Sequence, residues 1–312
     1  MYTEKELRKI LENWDVEKGL KIEGVQIADG TKASESVWKV GRELYLKTND
    51  RERLLKNLKV VRALLHQGLS AAVPVPTRSG ADFLDGEAPF VLTRGLKGCP
   101  LPKGERFGEN RIVFGRKYGQ SIARLHKALK AIQKDVSTDA VDLYQNVADW
   151  ALPAVRKQNM GIEERFFEDY IDVFGRLYEV LPKQLIHRDP NPGNILFHEG
   201  EVSGFIDFDL SEASIRLWDV CYCATGILSE AGDAQYEPWF DILRGILEGY
   251  DTENPLTREE KQSVLYVLCS IPMICIAYFE GRGECRELAE ANRKMLTFLI
   301  ENRSRICSSA MV

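Results

Sequence analysis

Short segments in which apolar and polar residues alternate open the chain. The alternation covers residues 22–28, 36–40 and 43–47 and predicts three β-strands, because successive side chains of a strand point to opposite faces. A short amphipathic helix is predicted before them, at residues 4–13. Residues 51–67 instead repeat apolar side chains at helical spacing, which predicts a helix directly after the third strand.

The pattern changes at a proline-rich break. Residues 73–76 contain two prolines, and residues 89–93 predict a further strand that runs into the glycine-bounded segment 94–98. We interpret this segment as the boundary between a strand-rich domain, residues 1–96, and a mostly helical domain, residues 97–312. Helical spacing predicts the main helices of the second domain at residues 110–132, 139–157, 162–179 and from 216 to the C-terminus.

A polar loop and a short hairpin interrupt the predicted helices. The loop reads His187-Arg188-Asp189-Pro190-Asn191-Pro192-Gly193-Asn194, and its two prolines stiffen it. Residues 194–197 and 202–208 are apolar runs that predict a hairpin, with Asp207 near the end of the second run. The loop therefore holds a carboxylate and an amide five residues apart, and a further carboxylate follows thirteen residues later.

This order of side chains suits phosphoryl transfer from ATP. The reaction needs a cation on the phosphates, oxygen ligands for Mg²⁺, and a carboxylate that orients the attacking hydroxyl. The candidate oxygen ligands and base are Asp189, Asn194 and Asp207. Lys47, at the end of the third predicted strand, is the candidate cation, although a strand-end lysine taken alone is also typical of a solvated edge.

Residues 185–228 resemble the aminoglycoside phosphotransferase and choline kinase-like superfamily, relatives of the protein kinases. Three further segments are similar to that family: the strand that ends at Lys47, the hinge-like residues 91–98, and Ile122-Ala123-Arg124-Leu125-His126. The resemblance covers most of the chain. It implies a two-lobed, protein-kinase-like α+β fold with a small antiparallel-sheet lobe that carries one main helix, and a larger, mostly helical lobe.

The resemblance also implies roles for the motif residues. Asp189 would be the catalytic base, Asn194 and Asp207 would hold Mg²⁺, and Lys47 would contact the α- and β-phosphates of ATP. Asp209 could be a second metal contact or a polar cap of its strand.

Supporting and nucleotide-binding roles follow from the same resemblance. His187 and Asp219 would brace the catalytic loop by hydrogen bonds. The main chain of Arg94 and Leu96 would bind the adenine, and the loop of residues 29–36, which includes Ser34, would cover the phosphates.

One departure from the family concerns the glutamate that pairs with the strand lysine. The expected helical turn reads Lys56-Asn57-Leu58-Lys59, and Glu52, about one turn earlier, is the candidate substitute. His126 and His198 have no acidic residue at helical or hairpin spacing, so we expect structural roles for both.

The composition of the chain indicates which binding partners and which cellular compartment to expect. The chain has 312 residues, 44% of them hydrophobic, and a net charge of -5 without a clustered basic face, so nucleic acid is not an expected partner. The seven cysteines form no C-x-x-C pair, and the N-terminus has no apolar signal segment, which favours a reducing cytoplasm. Residues 264–279 carry no charge but are too few to span a bilayer, so we expect a buried helix and no membrane association.

The expected acceptor is a hydroxyl of a small molecule: an aminoglycoside, an amino alcohol, a sugar, a nucleoside or a homoserine-like metabolite. A polycationic antibiotic would favour an acidic, aromatic-edged cleft, and one stretch could form either such a cleft or a solvated helix face. Its members are Glu230, Asp233, Tyr236, Glu237, Trp239 and Asp241.

Two alternatives compete with a small-molecule kinase. A protein Ser/Thr kinase would need an activation segment and an A-P-E anchor after Asp207, but only residues 210–217 precede the next helix. A nucleotide-binding pseudokinase would lack part of the catalytic set, whereas Asp189, Asn194 and Asp207 are all present.

Overall fold

The computed structural model describes residues 2–25, 34–136, 142–232, 235–280, 282 and 285–311. The chain divides into two compact units. The first contains Met1–Pro102 and Leu196–Leu210, and the second contains Lys103–Ile195 and Ser211–Val312. The hairpin that follows the polar loop thus belongs to the first unit, and the division at residues 96 and 97 stays a prediction.

A five-stranded antiparallel sheet forms most of the first unit. Its strand order is β1-β2-β3-β5-β4. The strands are β1 Ile22–Gly24, β2 Val37–Val40, β3 Leu44–Thr48, β4 Val73–Pro74 and β5 Phe90–Arg94. Residues 26–33 lie outside the described residues, so the predicted strand 22–28 is described only in its first part.

The two faces of this sheet pack against different helices. Helix α1, Glu4–Leu11, contributes to an apolar cluster that includes Leu46 and Leu92 of the sheet. Helix α2, Arg51–His66, packs its buried leucines against Val91 on the opposite face. Lys47 is the cross-strand partner of Val91, and cross-strand partners share a face of the sheet. The lysine therefore projects from the face that carries α2.

A second, three-stranded sheet completes the first unit. Its strands are β6 Cys99–Pro100, β8 Ile195–His198 and β9 Glu201–Phe205, in the order β6-β8-β9. Gly98 precedes β6 with a φ of +104°, and a Cβ there would overlap the Phe197 carbonyl group. Only glycine allows the chain to approach β8 this closely.

The second unit consists mainly of helices. They are α3 Lys103–Arg106, α4 Arg111–Ile132, α5 Leu143–Asn146, α6 Leu152–Arg156, α7 Glu164–Asp169, α8 Gly175–Val180, α9 Leu217–Ser229, α10 Tyr236–Glu253, α11 Arg258–Phe279, α12 Arg286–Glu301 and α13 Arg303–Ala310. Two π-helical turns, Val147–Ala151 and Tyr170–Phe174, join α5 to α6 and α7 to α8. Two strands, β7 Lys183–Ile186 and β10 Glu212–Ile215, pair in an antiparallel ladder. The polar loop begins directly after β7.

Helix α11 forms part of the core of this unit. It is long and apolar enough to cross a membrane by length and composition alone, but 61% of its most apolar window is buried inside the protein. Near its N-terminus, the fully buried Glu260 forms an ion pair with Arg216 at 2.7 Å. A buried, ion-paired glutamate is typical of a helix inside a folded protein.

Helices α4 and α10 approach each other through glycines on both sides. A Cβ at Gly115 would lie 2.7 Å from the Ile242 carbonyl oxygen, and one at Gly245 would lie 2.5 Å from the Ile112 carbonyl oxygen. One turn further along, Gly119 and Gly249 make similarly close contacts with the opposite backbone. The backbones of the two helices therefore touch without intervening side chains.

We predict that Gly119→Ala destabilises the protein by about 1–3 kcal/mol, because the added methyl group would overlap the Ile246 carbonyl oxygen. Urea denaturation measures the effect. Gly104→Ala is the matched control, since nothing lies within 4 Å of a Cβ at that position. Equal stability of the two variants would contradict the close helix contact.

Candidate active site

The polar loop between β7 and β8 holds Asp189 in a network of its own side chains. Asn191 donates from Nδ2 to Asp189 Oδ1 at 2.9 Å, and Asn194 donates from Nδ2 to Asp189 Oδ2 at 3.0 Å. Asn194 Nδ2 also donates to the Asp189 carbonyl oxygen at 2.9 Å. The structure thus brings together the carboxylate and the amide that were predicted as base and metal ligand.

A buried carboxylate fixes the start of this loop. Asp219, in the first turn of α9, accepts the His187 N–H at 2.8 Å and the Arg188 N–H at 2.9 Å, one on each oxygen. The His187 ring in turn accepts the Asp189 N–H on Nδ1 at 3.3 Å. His187 and Asp219 thus both form hydrogen bonds with the backbone of the loop, and their bracing roles stay a prediction.

His126 joins the same network, which sequence spacing did not reveal. Its Nε2 lies 2.9 Å from Asp219 Oδ2, and its Nδ1 lies 2.8 Å from the Tyr250 hydroxyl. A carboxylate accepts, so Nε2 carries the proton and the Tyr250 hydroxyl donates to Nδ1. The acidic partner of His126 is 93 positions away along the chain, so no local pattern could identify it.

Arg188, directly before the candidate base, has a left-handed backbone with a φ of +76°. Its guanidinium lies 3.9 Å from the centroid of the Trp218 ring, and its Nε lies 2.6 Å from Glu212 Oε1. Trp218 Nε1 also donates to the Arg188 carbonyl oxygen at 2.9 Å. Such contacts on both sides can hold a non-glycine residue in a conformation that costs about 1–3 kcal/mol.

An aromatic side chain borders the Asp189 carboxylate. The Tyr222 ring stacks on Trp218 with 5.6 Å between the centroids. Burial, and next the negative charge of Asp189, raise the pKa of Tyr222 well above its ordinary value. Tyr222 therefore stays a neutral hydroxyl beside Asp189. Neither aromatic residue had been singled out from the sequence.

In the first unit, Lys47 is held by two carboxylates. Its Nζ lies 2.7 Å from Asp207 Oδ1 and 2.6 Å from Asp209 Oδ2. Burial lowers the pKa of Lys47, but the Asp209 and Asp207 carboxylates outweigh burial and raise this pKa above its ordinary value. Glu52 lies exposed in the first turn of α2, so the acids placed against Lys47 are Asp207 and Asp209 rather than the expected Glu52.

The two aspartates differ in their surroundings. Asp207 has a left-handed φ of +68°, and its side chain is 43% exposed, whereas the Asp209 side chain is 7% exposed. Burial raises the pKa of Asp209, an effect that the ammonium group of Lys47 partly opposes.

Two asparagines hold the segment of residues 207–209 in the first unit. Asn49 donates to Asp209 Oδ2, and Asn57 of α2 accepts the Phe208 N–H on Oδ1 at 3.1 Å. Asn49 is 160 positions away from Asp209 along the chain, and Asn57 is 151 positions away from Phe208. Their roles were therefore missed from the sequence.

The carboxylate oxygens of Asp207 and Asp209 are of the type that a hard divalent cation prefers. Asp207 offers a partly exposed carboxylate, and Asp209 Oδ1 is buried without a hydrogen-bond partner among the described residues. The described part of the chain contains no cluster of three or more His, Cys, Asp or Glu side chains that could enclose a metal. Mg²⁺ commonly takes one or two carboxylates and completes its shell with phosphates and water, so the residues suit it.

The predicted nucleotide-binding residues lie on the first unit. The Ser34 hydroxyl lies 2.9 Å from Ser36 Oγ, while the preceding residues 29–33 of the predicted phosphate-covering loop lie outside the described residues. Arg94 ends β5 with its side chain 3.2 Å from Glu43, and Leu96 is partly buried. Binding of ATP by Ser34, Arg94 and Leu96 stays a prediction.

The acidic stretch after α9 is paired with arginines. Glu237 lies 2.6 Å from Arg305, and Asp241 lies 2.8 Å from Arg111. Glu230 pairs with Arg106, Trp239 is fully buried, and Asp233 lies outside the described residues. The described members therefore do not form an uncompensated acidic surface.

Residues 25–256 match the model of the phosphotransferase enzyme family. The chain belongs to this family. The match covers more than half of the chain and confirms the predicted resemblance and enzyme class, an ATP-dependent phosphotransferase that acts on a small molecule.

Individual relatives agree with this assignment. A homoserine kinase of Agrobacterium fabrum is 26% identical over 273 residues, 84% of this chain and 80% of the relative. A homoserine kinase of Rhizobium rhizogenes is 28% identical over 271 residues, 83% of this chain and 79% of the relative.

Solved structures share the fold at low identity. A microcompartment-associated aminopropanol kinase has a TM-score of 0.67 at 15% identity and covers 97% of both chains. An amicoumacin kinase in complex with AMP-PNP and Ca²⁺ has a TM-score of 0.69 at 17% identity, over 98% of this chain and 94% of the other. The predicted two-lobed, protein-kinase-like α+β fold class is confirmed.

We predict that His126→Leu lowers the free energy of unfolding by about 1–3 kcal/mol, because it removes one donor from the buried Asp219 carboxylate. Urea denaturation measures the loss. His198→Leu is the control, since the His198 side chain is 48% exposed and a surface substitution should change stability by about 0.5 kcal/mol or less. A stability unchanged by His126→Leu would show that the network does not need the histidine.

Proposed function

We propose that the protein transfers the γ-phosphoryl group of ATP to the hydroxyl of a small amino alcohol of the homoserine type. Asp189 acts as the catalytic base. The observation that carries the proposal is the Asp189 carboxylate itself, which two asparagine amides orient within a loop tied to the buried Asp219. A base that is fixed before the acceptor binds loses little freedom during the reaction.

The environment of Asp189 is consistent with general-base chemistry. Both carboxylate oxygens accept hydrogen bonds from neutral amides, and a carboxylate oxygen can accept a further hydrogen bond from an acceptor hydroxyl. As the hydroxyl oxygen bonds to the γ-phosphorus atom, the bond from that phosphorus to the β–γ bridging oxygen breaks, ADP leaves with the bonding electrons, and the hydroxyl proton passes to Asp189.

The remaining predicted residues act on ATP and Mg²⁺. Asn194 donates from Nδ2 to Asp189, so its Oδ1 would be the atom that binds Mg²⁺, and Asp207 would supply a carboxylate oxygen. Bound Mg²⁺ would neutralise charge on the phosphates. Lys47 would contact the phosphates by its ammonium group, Arg94 and Leu96 would bind the adenine through their main chain, and Ser34 would contribute to the cover of the phosphates.

The acceptor class rests on three separate supports. The curated relatives, which match over most of their length, are named homoserine kinases, and one structural neighbour is an aminopropanol kinase. The acidic residues that a polycationic antibiotic would need are paired with arginines. Residues 210–217 contain the short strand β10, Glu212–Ile215, and lead directly into α9, which leaves no activation segment of the kind a protein kinase needs.

The test measures Mg²⁺-dependent ADP release from ATP with a panel of acceptors. We expect homoserine or 1-amino-2-propanol to stimulate release more than choline, sugars, nucleosides or kanamycin. Asp189→Asn should lower kcat on the order of 10²–10⁴-fold, since it removes the base but keeps the shape of the side chain.

Each outcome separates the parts of the proposal. Stimulation by kanamycin alone would contradict the acceptor class, and an Asp189→Asn variant with unchanged kcat would contradict the base. Absence of ATP binding by the native protein would overturn the proposed function as a whole. The melting temperature of Asp189→Asn confirms that the variant is folded.

A further inference from the structure

The position of Lys47 raises the question of which acid holds it. The Lys47 side chain is only 18% exposed, and a buried ammonium group needs a carboxylate with further hydrogen bonds to be stable. Helix α2 faces the lysine but carries lysines and an asparagine at the expected turn, residues 56–59, and its exposed Glu52 is not the partner.

Of the two acids that contact Lys47, Asp209 is the more firmly held. Its side chain is 7% exposed, and its Oδ2 accepts both from Lys47 and from the amide of Asn49. Asp207 also contacts Lys47, but its side chain is 43% exposed. The two carboxylates therefore differ in burial, and Asp209 is the buried one.

Helix α2 contacts the segment of residues 207–209 through a hydrogen bond that one of its uncharged side chains accepts. Asn57 stands in the turn where an acid was expected, and its Oδ1 accepts the N–H of Phe208, the residue between the two aspartates. The helix therefore fixes the backbone that carries Asp209 instead of contacting the lysine itself.

We propose that Asp209 is the carboxylate that positions Lys47 for the phosphates of ATP, in place of an acid on α2, and that Asn49 and Asn57 position Asp209. The assignment rests on the proposed function, in which Lys47 contacts ATP. Asp209 is a positioning residue, because it acts through Lys47.

The experiment measures the affinity for ATP by calorimetry, in EDTA and in excess Mg²⁺, without an acceptor. We expect Asp209→Asn to weaken binding about tenfold to a hundredfold in both conditions, since it removes a charged hydrogen bond from Lys47. Asp207→Asn should weaken binding mainly in Mg²⁺. Asp85→Asn, at an exposed aspartate of the same unit, is the matched control and should change nothing.

A double-mutant cycle separates positioning from direct contact. If Asp209 acts through Lys47, then Asp209→Asn should cause no further loss of affinity in a Lys47→Met background. Glu52→Gln examines the rival acid and should leave the affinity unchanged. If Asp209→Asn does not fold, Asn49→Ala replaces it, because it removes a hydrogen bond from Asp209 and should weaken ATP binding in the same direction.

Four results would overturn the assignment. A loss seen only in Mg²⁺ would make Asp209 a metal ligand, an equal loss in the Lys47→Met background would remove the link to the lysine, and a loss in Glu52→Gln would restore the acid of α2. Native protein that binds ATP while Asp209→Asn binds equally well would reject only this inference. Native protein that binds no ATP in either condition would reject the proposed function as well.

Discussion

The loop that carries Asp189 depends on one buried carboxylate. Asp219 lies in the core of the second unit, where an unpaired charge would be costly, and it is compensated by the backbone of His187, the backbone of Arg188 and the ring of His126. For each of these donors, the hydrogen bond to Asp219 also compensates for the hydrogen bond to water that burial removes. The arrangement therefore stabilises the charge and the geometry of the loop together, and the orientation of Asp189 follows from it.

The first unit also contains a buried charge that is compensated by its neighbours. Lys47 is a buried cation whose charge is balanced by two acids on one short segment, and the segment is tied to the strand end by Asn49 and to α2 by Asn57. Two acids for one lysine leave an excess of negative charge. In the proposed function, that excess would suit a site that takes up a divalent cation.

Much of the fold could be predicted from periodicity alone. The predicted helix over residues 51–67 corresponds to α2, and the strands around Lys47 and residues 89–93 correspond to β3 and β5. The predicted hairpin after the polar loop corresponds to β8 and β9. These elements could be predicted because a helix or strand that buries one face has apolar residues at a regular spacing. Asp189 and Asn194 could be found for a different reason, because both lie on one short loop, five residues apart in the sequence. The partners of His126 and Lys47 could not, because tertiary contacts join residues separated by 93 and 160 positions.

The glycine contact between α4 and α10 has a consequence for how this enzyme can vary. His126 lies on α4 and Tyr250 on α10, and Gly119 packs against the backbone at Tyr250. The distance between the two helix axes thus sets the length of the hydrogen bond that orients the His126 ring toward Asp219. Larger residues at these glycines would therefore disturb the hydrogen bonds around Asp219 as well as the packing of the helices, so the helix spacing limits which substitutions the chain tolerates.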